Sequence, residues 1–293
     1  MTTTGANVER KPFEGDTQDV MGGSARWEIK VHDHGLVALV DVMPRLVPAG
    51  KTADFAIVQA ARVSYGQGTK QVNEDRGLIR YLARHRHTTP FEMVEFKFHH
   101  VMPIFVARQW IRHRTANVNE YSARYSVVRD RFYHPTAENV RKQSATNRQG
   151  GDEPMDPETA QEFLDYLDQI ERGYEKYEQF LQKGVAREIA RIALPASVYT
   201  EWYWKIDLHN LFHFLSLRTD EHAQQEIRDY AGAMFELVRP IVPIAAEAFV
   251  DYNLKSVHLS RLEVEALRTG QPLASDNKRE TAEWEEKRKR LAR

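Results

Sequence analysis

"MVEFKFHHVMPIFVARQWIRHR", residues 93–114, sets a strand directly against a helix and so decides what layers this chain builds. Its first residues alternate. Val94, Phe96 and Phe98 fall on one face and Glu95, Lys97 and His99 on the other, the period of a half-buried strand. Pro103 then suits the first turn of a helix, and "PIFVARQWIRHR" continues it, with Arg108 and Arg112 one turn apart on the same face.

Similar signals run outward in both directions. "GLVALVDVM" from Gly35 reads as a strand, and Asp54 suits the N-cap of a helix over "FAIVQAARVS". "NEDRGLIRYLARHRHTTP" predicts a helix with Leu78, Ile79 and Leu82 inward, stopped before Pro90. Residues 134–157 are polar, with three prolines, and read as an exposed loop. Phe163, Leu167, Ile170, Tyr174, Tyr177 and Leu181 then recur at spacings of three and four up to Gly184, predicting one long scaffold helix.

"VAREIARIALP" places Arg187 and Arg191 one turn apart, and the aromatic alternation of "SVYTEWYWKI" favours a strand. Asp207 can cap "LHNLFHFLSLR", with Leu208, Leu211, Phe212 and Leu215 as its buried stripe and His209 and His213 on another face. Asp220 can cap the helix after it. Residues 1–25 and 270–293 read as tails, leaving 26–269 as a single catalytic domain; the charged carboxy-terminal stretch could form a short helix.

Composition narrows the chemistry. The 293 residues carry a formal net charge of −1, so any anion site must be a local concentration of charge. There is no cysteine, which excludes disulfides, thiolate zinc sites and a cysteine nucleophile. No apolar run has transmembrane length, and the expected location is cytoplasmic. The Gly-Gln-Gly stretch at 66–68 lacks the third glycine of a dinucleotide fingerprint, and no Walker lysine motif occurs.

The charge concentrates just past the opening stretch. Between Arg108 and Arg131 stand six arginines against Glu120 and Asp130, with Asn117, Asn119, Glu120 and Ser122 interleaved. Guanidinium groups bind phosphate or carboxylate in a planar fork, and the spacers can read a ring edge, so a phosphorylated heterocycle suits the set. A solvated basic face, or a nucleic-acid-binding surface, is the competing reading. His209 and His213 have the one-turn spacing of metal ligands, with His222 downstream, but Asn210 stands where a metalloprotease needs Glu. A histidine-ligated metal hydrolase is therefore a second alternative.

"RHRTANVNEYSAR", Arg112 to Arg124, resembles the R-H-R-x-x-S-x-N-E-x-S-x-R signature of the flavin-dependent thymidylate synthases, departing only where Asn117 replaces Ser. The similarity extends through "AARVS", "RHRHTTPFE", "FKFH", "REIARIALP" and "LRTDEHAQ", over roughly residues 35 to 255. The resemblance implies helices packed on a mainly antiparallel sheet, a homotetramer with active sites where subunits meet, and a flavoprotein methyltransferase of dTMP biosynthesis. It implies reductive methylation of dUMP to dTMP, with FAD as cofactor and NADPH and methylenetetrahydrofolate as co-substrates, and no metal.

Residue by residue, the resemblance assigns FAD contacts to Thr89, Arg112, His113, Arg114, Glu120, Asp207, Leu208, His209 and His213. To dUMP it assigns Gln109, Arg112, Glu120, Ser122, Ala123, Arg124, Arg191 and Arg218. Arg218 is the expected catalytic residue, a guanidinium that stabilises negative charge on the uracil ring rather than attacking it. Ser122 has no evident base beside it and is expected to bind substrate.

Overall fold

The structure, a computed structural model, describes Lys11 and residues 15–63, 75–144 and 150–292. The Gly-Gln-Gly stretch at 66–68 and much of the predicted amino-terminal tail lie outside that range. Two compact units emerge, Met1–Ala246 and Glu247–Arg293.

In the first unit the strands are β1 (Thr17–Asp19), β2 (Trp27–Val31), β3 (Gly35–Met43), β4 (Leu46–Pro48), β5 (Glu95–Pro103), β6 (Asn117–Glu120), β7 (Arg141–Gln143), β8 (Gly151–Pro154) and β9 (Tyr199–Asp207). Its helices are α1 (Asp54–Val63), α2 (Asp75–Arg84), α3 (Ile104–Trp110), α4 (Pro157–Glu171), α5 (Gly173–Gln182), α6 (Arg187–Ala190), α7 (Leu208–Arg218) and α8 (Gln225–Val238), and α9 (Pro243–Phe249) begins in it and ends in the second. Five strands form one antiparallel sheet in the order β2-β3-β5-β9-β6.

The alternation in β5 and β9 works as a half-buried strand requires. Phe96, Phe98 and His100 pair across from Ile206, Trp204 and Trp202, and all six are buried. Helices α3, α7 and α8 supply the covering rings: Trp110 lies 4.5 Å from Phe214, 5.5 Å from Trp204 and 4.6 Å from His100, centroid to centroid. Complete burial of a ring as large as Trp110 contributes roughly 4–6 kcal/mol at about 25 cal/mol per Å² of apolar area, an upper bound. Burial holds the His100 imidazole down at about 3, so it is neutral and its Nδ1 accepts from Trp202 Nε1 at 3.2 Å. Gly35 begins β3 because a Cβ there would fall on Tyr230 Oη and the Val31 carbonyl.

Several details depart from the pattern read in the sequence. Asp54 does not cap its own helix: its carboxylate accepts from the Ile244 and Ala245 amides at 2.9 and 3.0 Å and so caps α9, 190 residues away for the nearer partner. In α7 the buried position is Phe214, not Phe212, because Phe214 faces Trp110. Asp220 accepts from the His222 amide and Nδ1 within the turn, and Gln224 precedes α8 instead.

The polar loop at 134–157 contains the hairpin β7–β8, and the long scaffold helix breaks at Arg172 into α4 and α5, leaving Phe163, Tyr166 and Phe180 exposed. Within the stretch read as an amino-terminal tail, β1 pairs with β4 and Met21 is buried.

In the second unit, α10 (Arg261–Thr269) opens on a capping box of Ser260 and Glu263 and ends at Gly270, whose φ of +68° suits glycine. Helix α11 (Lys278–Leu291) lies in the stretch read as a charged tail, and its Lys287 bonds Glu263 at 2.8 Å. Among the described residues, no helix is long and apolar enough to cross a membrane.

Candidate active site

Helix α3 stops at Trp110, not at Arg114, since the chain must reverse from that buried anchor to join the sheet edge at Asn117. Arg112 therefore sits in the following turn, exposed like Arg108 but outside the helix. The turn is closed by the His113 amide, which donates to the Trp110 carbonyl at 3.0 Å. This places the half-buried His113 imidazole against α7, 4.8 Å from the Phe214 ring and 6.2 Å from that of His213.

Arg218, in the last turn of α7, meets it there. Its Nε donates to His113 Nε2 at 3.0 Å, and its Nη2 donates to the Gln109 carbonyl at 3.4 Å. A guanidinium can only donate, so His113 Nε2 must carry a lone pair and the ring hydrogen must sit on Nδ1. Burial, then the charges of Arg218 and His213, hold this imidazole down at about 4, which keeps it neutral beside the arginine. Burial also lowers Arg218 from its ordinary value. The result is a cation pinned by two neutral acceptors, with no carboxylate bonded to it among the described residues.

Strand β6 pairs with β9 along one side, and its four residues are exposed. Glu120 is fixed by Thr200 Oγ1, which donates to Glu120 Oε1 at 2.7 Å. A turn follows in which the Tyr125 and Ser126 amides both donate to the Ser122 carbonyl at 3.1 Å. Ser122 Oγ accepts from the Arg124 amide at 3.4 Å, an arrangement that provides no base for nucleophilic attack. Arg124 reaches Glu188 of α6 at 3.4 Å, and Arg187 donates to the Tyr125 carbonyl at 3.3 Å. The Ser122–Arg124 turn is thereby docked beside α6, whose next residue is the exposed Arg191.

A third group lies at the other end of α7. Asp207 caps that helix by accepting from the Asn210 amide at 2.9 Å, and the Leu208 amide donates to the Val94 carbonyl at 2.8 Å, next to the short turn Thr89–Met93. Thr89 is exposed and His209 half-buried, but Leu208 is fully buried and its side chain belongs to the core.

The expected site residues thus form three groups on one chain: Gln109, His113, Arg218 and His213, with the exposed Arg112 and Arg114 on either side of His113; Glu120 with Ser122, Ala123, Arg124 and the start of the Arg191 turn; and Thr89 with Asp207 to His209. Sequence reasoning missed two partners, Thr200 and Gln224. The Gln224 side chain bonds that of Gln109. Its only signal was position in "LRTDEHAQ".

Among the described residues, His209 and His213 join no third metal-type ligand; the group that does converge is His134, Asp168 and Glu171. There both ring nitrogens of His134 already face a carboxylate, at 2.7 Å and 3.4 Å. The imidazole is already engaged by carboxylates, and the metal-hydrolase reading gains nothing from it.

Guanidinium groups in the turns and helix ends, and the Glu120 carboxylate on edge strand β6, in a chain with no thiol, suit an anionic ligand and exclude a cysteine nucleophile. The family model described as thymidylate synthase complementing protein matches residues 45–244. A flavin-dependent thymidylate synthase from Dictyostelium discoideum is 69% identical over 284 residues, 97% of this chain and 94% of that one. Another from Wolbachia pipientis wMel is 56% identical over 242 residues, covering 82% of each. A solved UMP/dUMP methylase, PolB from Streptomyces cacaoi bound with 5-Br dUMP, superposes with a TM-score of 0.65 at 35% identity, over 77% of this chain and 98% of its own. The chain belongs to the flavin-dependent thymidylate synthase family.

Proposed function

We propose that this protein converts dUMP to dTMP by reductive methylation, with FAD bound at the Arg112–Glu120 segment, methylenetetrahydrofolate as carbon donor and NADPH as reductant. The observation that carries the proposal is the Arg218 guanidinium, held by neutral His113 and a main-chain oxygen with no carboxylate bonded to it among the described residues. Placed beside uracil N3 and O2, it stabilises the negative charge that grows on the ring as C5 becomes nucleophilic. Glu120, fixed by Thr200, and Gln109 orient the ring, while Ser122, Ala123, Arg124 and Arg191 take the phosphate.

The donor set fits a flavin dinucleotide. Among the described residues Arg112 and Arg114 have no carboxylate partner, are exposed, and are suited to a diphosphate. When bound, FAD supplies the reducing equivalents drawn from NADPH. Thr89, His113 and the Asp207–His213 start of α7 complete its contacts, with Leu208 acting through its backbone position.

The site that uses all of these groups is completed between subunits of a homotetramer. The exposed Phe163, Tyr166, Phe180, Ile189 and Ile192 give such an assembly apolar surface to bury. The protein acts in the cytoplasm and needs no metal. The test is direct: purified protein should be yellow, bleach with NADPH, recolour in air and form dTMP from dUMP and methylenetetrahydrofolate. A colourless protein inactive with added FAD would refute the proposal.

A further inference from the structure

We propose that Gln224 is a positioning residue that orients the Gln109 side chain toward the uracil nucleotide; this rests on the dUMP reading above. The grounds are geometric. Residue 109 is gripped from two sides by the segment that joins α7 to α8: Arg218, at its start, takes the Gln109 carbonyl, and Gln224, at its end, takes the Gln109 side-chain amide.

Both grips are anchored. Asp220 holds the His222 amide at 2.9 Å, the Ala223 amide donates to the Asp220 carbonyl at 3.0 Å, and Arg228 donates to the Glu221 carbonyl at 3.1 Å. Gln224 then leads into α8, where Ile227, Tyr230, Ala231 and Met234 are completely buried.

A free glutamine side chain samples many rotamers, and holding one in place lowers the entropy lost when it meets a ligand. With its Nε2 donating to Gln224 Oε1, Gln109 has its own Oε1 left as an acceptor for a ligand. Gln224 itself needs no contact with substrate. It is exposed, so replacing it leaves the core intact.

The test is a double-mutant cycle with Gln224→Met and Gln109→Met, each of similar length but without the amide. Gln224→Met should raise the KM for dUMP about three- to tenfold, in keeping with one modest hydrogen bond, while kcat and bound flavin per chain stay within about twofold. In the Gln109→Met background, adding Gln224→Met should change KM no further. An unchanged KM in the single variant, or effects that multiply in the double one, would overturn the assignment. If the unaltered protein forms no dTMP, the functional reading fails separately, and calorimetric dUMP affinity of the same four proteins still decides the role of Gln224. Absence of dUMP binding to the unaltered protein removes both.

Discussion

Replacement of Arg218 by alanine should separate chemistry from binding. The side chain makes two hydrogen bonds, to His113 Nε2 at 3.0 Å and to the Gln109 carbonyl at 3.4 Å, and its charge has no carboxylate neighbour among those bonds. Deleting a fixed donor aimed at developing charge costs about 10²–10³ in kcat, roughly 2.7–4 kcal/mol of transition-state stabilisation. Folding should suffer little, since a half-buried position lets water satisfy the two acceptors left behind.

Arg218→Lys sharpens the test. It keeps the charge but loses the planar fork that engages two acceptors at once, so its kcat should fall between the unaltered protein and the alanine variant. Flavin absorbance per chain, dUMP affinity by calorimetry and single-turnover dTMP formation would be measured on all three. An alanine variant that binds flavin and dUMP normally and turns over within about threefold of the original would refute the electrostatic role.

Three further outcomes follow from the same structure. Asp54→Ala removes the acceptor of two amides in the first turn of α9, and urea denaturation should show a loss of about 2–4 kcal/mol; a loss under about 0.5 would mean water replaces the cap. His113 should be neutral with its hydrogen on Nδ1 at pH 7, visible in the ¹⁵N shifts of labelled histidine, and should titrate near pH 4. Because that value lies below the ordinary 6.5, its stabilising contribution is present above pH 6.5 and is lost as pH falls toward 4. Gly35→Ala should cost about 1–3 kcal/mol by driving Tyr230 off the Val101 carbonyl, with a lowered thermal midpoint as the readout.

Of the five strands of the central sheet, β3, β5 and β9 were legible, because burial on one face leaves a period of two in β5 from Glu95 to His100 and in β9 from Thr200 to Asp207, whereas β2 and the fully exposed β6 were not read as strands. Nor was hairpin β7–β8, since its residues are all exposed and no apolar alternation marks them. The break between α4 and α5 was hidden for the opposite reason: the apolar spacing runs straight through Arg172 and Gly173. Local capping rules pointed Asp54 and Asp220 at the helices that follow them, whereas tertiary packing gave the first to α9 and kept the second in its turn.

The residue types of the candidate site could be proposed from several matched stretches, but their arrangement could not. Arg218 and His113 are 105 positions apart, and nothing in either local stretch says that one ring nitrogen will accept from the other. Gln224 illustrates the same limit, as its partner lies 115 positions away.

The bond from Arg218 to the oxygen of residue 109 is made to the main chain. Every amino acid carries that oxygen, so a saturation library at codon 109 would leave this half of the clamp untouched and would score the position by its side-chain duties alone. To remove the main-chain half, the end of α3 itself must be displaced, by shortening or lengthening the helix.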